Sequence, residues 1–174
     1  LILHGLGAKI IGYALNPISK PSFFDGLGLK QFLQKDYRKD ILNLNHLRSV
    51  VEIQKPQIVF HLAAQSSVIE SYKKPISTIA ANVLGTANLL EAIRCSKTTK
   101  SLVIATTDKV YLNLEEKKPF KENDKLGGHD LYSGSKAAAE IVSQSYSKSF
   151  FSKSCNIATV RSGNCIGGGD WTKD

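Results

Sequence analysis

Ser101-Leu-Val-Ile-Ala-Thr-Thr-Asp-Lys109 is an apolar run that closes on two hydroxyls, a carboxylate and an amine. Unbroken apolar residues of this length mark a strand buried on both faces, the kind that builds a parallel sheet. Three further runs share its character: residues 9–15 (KIIGYAL), 57–63 (QIVFHLA) and 156–161 (NIATVR). Between them lie stretches with apolar residues at helical spacing. Residues 44–54 place Leu44, Leu47, Val50 and Val51 together, and Pro56 lies just beyond. Residues 75–96 open on Pro75 and gather Ala80, Val83, Leu84, Ala87 and Leu90, leaving Glu91 off that face. Residues 132–150 turn Ala137, Ala138, Ile141, Val142 and Tyr146 inward. Strands alternating with helices predict an α/β domain over residues 1–174, a doubly wound parallel sheet. In such sheets ligands bind outside the carboxyl ends of the strands. Ala63-Ala64-Gln65, Thr107-Asp108 and Ser162-Gly163-Asn164 all fall there, and the loop 112–128 is long enough to serve a site at that rim. Residues 17–28 form the other loop.

The composition narrows the function classes. With 174 residues, 42% of them hydrophobic, the chain suits one globular domain. No unbroken apolar segment reaches the length of a membrane span, and the opening Leu1-Ile2-Leu3-His4-Gly5 lacks the charged flank of a signal peptide, so a cytoplasmic location and no membrane partner are expected. Cys95, Cys155 and Cys165 are an odd number without metal-ligand spacing and are expected as buried thiols, with no disulfide and no metal. A net charge of +8 raises a nucleic-acid partner, but Lys20, Lys35, Lys73, Lys97, Lys117 and Lys148 are scattered and no aromatic-basic interleaving offers a base-stacking platform. A solvated basic surface without a nucleic-acid partner is the expectation.

The chain reads as starting after the first βα unit of its fold. A dinucleotide-binding unit opens with a strand, a glycine-rich turn and a helix whose N-terminus holds the pyrophosphate. Here Gly5-Leu6-Gly7 resembles the end of a helix, and Gly167-Gly168-Gly169 follows a late strand.

Two clusters carry chemistry. Tyr132 and Lys136 lie four residues apart, on one face of a helix that starts near Tyr132. A free phenol with a pKa of about 10 is a poor base at neutral pH, and a neighbouring ammonium lowers that value. Tyr132 so placed can take a proton from a sugar hydroxyl while a hydride leaves for a nicotinamide. Of the six tyrosines only Tyr132 has a lysine at this offset. Thr107, Asp108 and Lys109 form the second cluster, in which Asp108 either caps the following turn or shares acid and base roles with Lys109 in eliminating water. His129 precedes Asp130, an N-cap candidate, and His61, inside an apolar strand, reads as a core histidine.

At these residues the chain resembles the extended short-chain dehydrogenase/reductase family, and within it the sugar-nucleotide 4,6-dehydratases. The segments that carry the likeness are Leu6 to Pro17, Val59 to Gln65, Asn82-Val-Leu-Gly-Thr86, Thr106-Thr-Asp-Lys109, Leu126-Gly-Gly-His-Asp130, Tyr132-Ser-Gly-Ser-Lys136 and Arg161-Ser-Gly-Asn-Cys-Ile-Gly-Gly-Gly-Asp-Trp171. The resemblance implies a Rossmann-like fold lacking its first βα unit and its C-terminal substrate-binding region. NAD would be the cofactor and CDP-glucose the substrate, in a homodimer paired through residues 75–96 and 132–150. It places Asp40 and Ile41 near the adenine, Leu62, Ala63, Ala64 and Gln65 along the dinucleotide, Thr106 and Asn82 in support, and Lys136 on the nicotinamide ribose. It makes Tyr132 the base at carbon 4, Thr107 a hydrogen-bond partner of the carbon 4 oxygen, Asp108 the elimination acid and Asn164 a substrate contact. Lys109 stands where related dehydratases carry a glutamate, and acts as a base only with a depressed pKa. Ile69 and Leu42 occupy positions where the family commonly has arginine. A sugar-nucleotide epimerase or reductase of the same superfamily, or a non-catalytic cofactor-binding piece, are the other readings.

Overall fold

A computed structural model describes residues 1–115, 118–151 and 154–166. They fall into two compact units, one of Leu1–Asp40 with Cys165 and Ile166, the other of Ile41–Asn164. In the first, the short helix α1 (Ile2–Gly5) ends through Gly7, whose φ of +78° is a left-handed stop that suits glycine. Strand β1 (Ile11–Ala14) then pairs in parallel with β2 (Lys35–Arg38), Tyr13 opposite Tyr37. Between the two strands the expected loop holds a one-turn helix α2 (Phe23–Gly26), capped by the Ser22 hydroxyl, which accepts from Asp25 N at 3.0 Å. Strand β2 is a correction to the sequence reading. Its residues Lys-Asp-Tyr-Arg give no apolar run, and pairing with β1 alone makes it a strand.

The larger unit is built on a parallel sheet in the order β3 (Ile58–His61), β4 (Ser101–Ala105), β5 (Asn156–Val160), with Phe60, Val103 and Ala158 in register. Helix α3 (Leu44–Gln54) buries Leu47, Val50 and Val51, as its spacing predicts. A short α4 (Val68–Lys73) leads into one continuous helical stretch: α5 (Pro75–Ile79), a π-turn at Ala80–Leu84 and α6 (Gly85–Ser96). Helices α3 and α6 stop at Lys55 and Lys97, both with left-handed φ. Helix α7 (Leu131–Tyr146) and a π-turn at Ser147–Phe151 precede β5. Leu90, Ile93, Leu102, Ile104 and Val110 form the driest part of the core.

Four further expectations are corrected. Only β4 alternates between fully buried and half-buried positions; β3 and β5, the edges of their sheet, expose Ile58, Phe60 and Val160. The inward face of residues 75–96 is polar at its start: Thr78, Asn82, Thr86 and Asn88 are buried whereas Leu84 is 53% exposed, because the π-turn advances the helix face and hydrogen bonds await those polar groups. On α7 the buried residues include Ser133, Ser135, Lys136 and Glu140, with Ile141 outside. Of the cysteines only Cys155 is buried; Cys95 and Cys165 are exposed. The stretch Pro75–Ser96 is also long and apolar enough, by length and composition, to cross a bilayer; its buried amides and hydroxyls, each hydrogen-bonded within the unit, make it a core helix.

Candidate active site

Because β3, β4 and β5 run in parallel, their carboxyl ends share one edge. Beyond β3, Leu62, Ala63 and Ala64 are exposed, and Gln65 is held from both sides of its peptide: its N–H donates to Asn82 Oδ1 at 2.8 Å and its carbonyl accepts from Asn82 Nδ2 at 3.0 Å. The Gln65 side chain donates to Thr78 Oγ1 at 2.8 Å. Beyond β4, Thr106 and Thr107 are buried, while Asp108 and Lys109 face solvent. Thr107, not Asp108, caps the following 3₁₀ turn: its hydroxyl accepts from Lys109 N at 3.4 Å and donates to Asp108 Oδ1 at 3.1 Å. Lys109 Nζ lies 3.5 Å from Asp108 Oδ1 and donates to Asn164 Oδ1 at 3.5 Å. Asp108 N donates to Ser162 O at 2.9 Å, which ties the ends of β4 and β5 together. Hydroxyl, carboxylate, amine and amide thus gather at one strand end. From residue 167 on, the glycine-rich continuation lies outside the described residues.

Helix α7 brings the second cluster. Asp130 is its N-cap, accepting from Ser133 N at 2.9 Å, and His129 Nε2 pairs with Asn113 O at 2.8 Å, so the histidine belongs to the loop. Gly128 admits no side chain: a Cβ there would stand 2.3 Å from Gly134 N and 2.5 Å from Ser133 C. That close approach seats the loop on the start of the helix, which packs against the 3₁₀ turn of Asp108–Val110. Tyr132 and Lys136 are both buried, and Lys136 Nζ donates to Ala105 O at 2.8 Å, one residue before the polar end of β4. Burial holds the Lys136 ammonium below the usual lysine range. It also pushes His61 down to about 4, with the Lys136 charge adding to the effect. His61 Nε2 pairs with Thr86 Oγ1 at 2.9 Å, the satisfied core histidine the sequence predicts.

Sequence reading did not single out Ser135, Thr78 or Thr86. Ser135 Oγ donates to Tyr132 O at 2.7 Å and accepts from Asn82 Nδ2 at 2.8 Å, linking α7 to the Gln65 peptide. The signal available was their position on the faces of Tyr132 and Asn82, obscured by reading those faces as apolar. Ile41 is held through its carbonyl, which accepts from Asn88 Nδ2 at 3.2 Å. Asp40 belongs to the smaller unit, where its carbonyl accepts from the Tyr13 hydroxyl at 3.1 Å.

This architecture is shared with solved structures: UDP-glucose 4-epimerase from Thermotoga maritima superimposes with a TM-score of 0.76 at 22% identity, over 92% of this chain and 49% of that one. The class is therefore the Rossmann-like α/β fold. A family model for GDP-mannose 4,6 dehydratase matches residues 31–165, and the chain belongs to that family. It is 42% identical, over all of its own length and 50% of the relative's, to CDP-glucose 4,6-dehydratase of Salmonella typhimurium. It is 36% identical to dTDP-D-glucose 4,6-dehydratase of Dictyostelium discoideum, over 82% of this chain and 35% of that one. The chain thus spans half the length or less of these curated relatives.

Proposed function

We propose that the chain is the partial NAD-binding Rossmann-like domain of a nucleotide-sugar 4,6-dehydratase that converts CDP-glucose to CDP-4-keto-6-deoxyglucose. One observation carries this reading: Thr107, Asp108, Lys109 and Asn164 meet at the end of β4, next to the face of α7 that bears Tyr132 and Lys136. The residues fit a dinucleotide. A buried ammonium held by a carbonyl at the strand ends suits a ribose hydroxyl pair, and the exposed Leu62–Ala64 backbone, with Gln65 immobilised behind it, offers a bed along the same edge. Asp40 and Ile41 are assigned to the adenine end, and Asn82 and Thr106 to support. When bound, NAD supplies the hydride acceptor for carbon 4 and the hydride donor for carbon 6.

Tyr132 takes the proton of the carbon 4 hydroxyl, with Lys136 favouring its phenolate and Thr107 donating a hydrogen bond to the carbon 4 oxygen. The carbon 4 ketone acidifies the carbon 5 proton. Asp108 and Lys109 together remove that proton and protonate the carbon 6 hydroxyl, which leaves as water. A proton returned to carbon 5 completes the product, and Asn164, whose Oδ1 accepts from Lys109, is assigned to contact the sugar. The full-length protein incubated with CDP-glucose and NAD is expected to give a product lighter by one water in a mass spectrum. An isomer of unchanged mass would instead support the epimerase reading. The setting assigned to the enzyme is the cytoplasm, the pathway deoxysugar synthesis for O-antigen, and the assembly a homodimer through the outer faces of α5, α6 and α7.

A further inference from the structure

On α7 the four-residue spacing of Tyr132 and Lys136 continues to Glu140, whose side chain is wholly buried. Five side-chain donors converge on this one carboxylate. Arg161 reaches Oε1 and Oε2 through Nε at 2.8 and 3.1 Å and adds a third bond through Nη2. Thr106 Oγ1 donates at 3.0 Å, Thr159 Oγ1 at 3.4 Å and Gln144 Nε2 at 3.4 Å. Arg161 in turn donates from Nη1 to Glu122 O at 2.9 Å and lies 4.7 Å from the centre of the Tyr111 ring, which stacks on Phe120.

A buried ion pair is seldom needed for stability, since apolar residues of like volume do as well. What this pair does is geometric. Lys136 grips Ala105 O and Glu140 grips Thr106 Oγ1, so successive turns of α7 are pinned to the last residue of β4 and to the residue after it, just before Thr107. Arg161 fixes the carboxylate to the end of β5 and the loop over it. We propose that Glu140 and Arg161 are positioning residues, which set the height of α7 against the end of β4 and so align Tyr132 with Thr107 and Asp108. The inference rests on the dehydratase reading.

The test uses the full-length protein with CDP-glucose and NAD. The double variant Glu140→Met/Arg161→Leu keeps volume and removes both charges. It is expected to melt near the wild-type temperature while kcat falls about tenfold to a hundredfold and KM stays within about threefold, the pattern of misaligned reacting groups. A folded double variant with kcat within about twofold of wild type overturns the proposal. Where that variant fails to fold, Thr106→Val decides, since it deletes only the hydroxyl: a kcat lowered about fivefold at unchanged melting temperature supports the proposal, and unchanged kcat overturns it. Should the wild-type protein turn over no sugar nucleotide, the functional reading fails alone. Amide exchange then tests positioning: in Thr106→Val the Thr106 and Asp108 amides should exchange about tenfold faster relative to Leu102 and Ile104, and a uniform change overturns it.

Discussion

At the scale of single residues, the site depends on groups whose charge is set by burial. Tyr132→Phe removes one oxygen from a buried ring and leaves Lys136 in place, so the full-length protein should lose about 10²- to 10⁴-fold in kcat while unfolding free energy changes by less than about 1.5 kcal/mol. Product mass spectra and denaturant melts check the two halves of that expectation. His61 gives a pH signature. Its folded value of about 4 lies below the unfolded value of 6.5, so between those values the unfolded chain binds more protons. Its contribution is complete above pH 6.5 and is lost as the pH falls towards 4. Urea melts at pH 7 and pH 5 should differ by about 2 kcal/mol from this residue, and His61→Gln should remove most of the difference. The sequence disclosed the types of these residues and their spacing. It did not disclose that His61 is held by Thr86 and destabilised as a cation by Lys136, since both partners come from other elements.

At the scale of elements, helix boundaries were legible where capping residues stand in the chain. Asp130 accepts a backbone N–H in the first turn of α7 and Pro75 opens α5, as the sequence predicts; Asn43 and Ser67 likewise cap α3 and α4, the second a helix the sequence pattern did not disclose. The faces were less legible. A period of 3.6 residues carries no mark of the π-turn at Ala80–Leu84, and polar residues count as outward unless their partners are known. Gly128 shows a motif glycine that is a packing requirement. Gly128→Ala puts a methyl against the backbone of Ser133 and Gly134 and should cost about 3 kcal/mol or more, read from the shift in the denaturation midpoint. Gly85→Ala clashes with the Ile41 side chain, 2.7 Å away, and touches Ala80 O at an ordinary 3.8 Å, and should cost about 1 to 3 kcal/mol in the same measurement.

At the scale of the whole molecule, the homodimer and cofactor readings become solution experiments. Ile76, Leu84 and Ile141 leave apolar surface outside α5, the π-turn and α7. Sedimentation of the full-length protein should give the mass of two copies, and Ile141→Glu should shift it towards one. Calorimetric titration of that protein with NAD should show binding that Lys136→Met weakens by about tenfold or more, the loss of a charge-assisted hydrogen bond. The amino-acid sequence by itself determined which runs become strands, which stretches become helices and which reactive side chains end up at strand ends, because periodicity, caps and motif spacing are local properties of the chain. Only the tertiary structure decided that β2 is a strand, that the inner faces of α5, the start of α6 and α7 carry buried polar groups, and that Glu140 joins Thr106 to Arg161. Those outcomes depend on burial and on hydrogen-bond partners up to 53 residues away along the chain, as between Asn82 and Ser135, and no window of sequence contains both members.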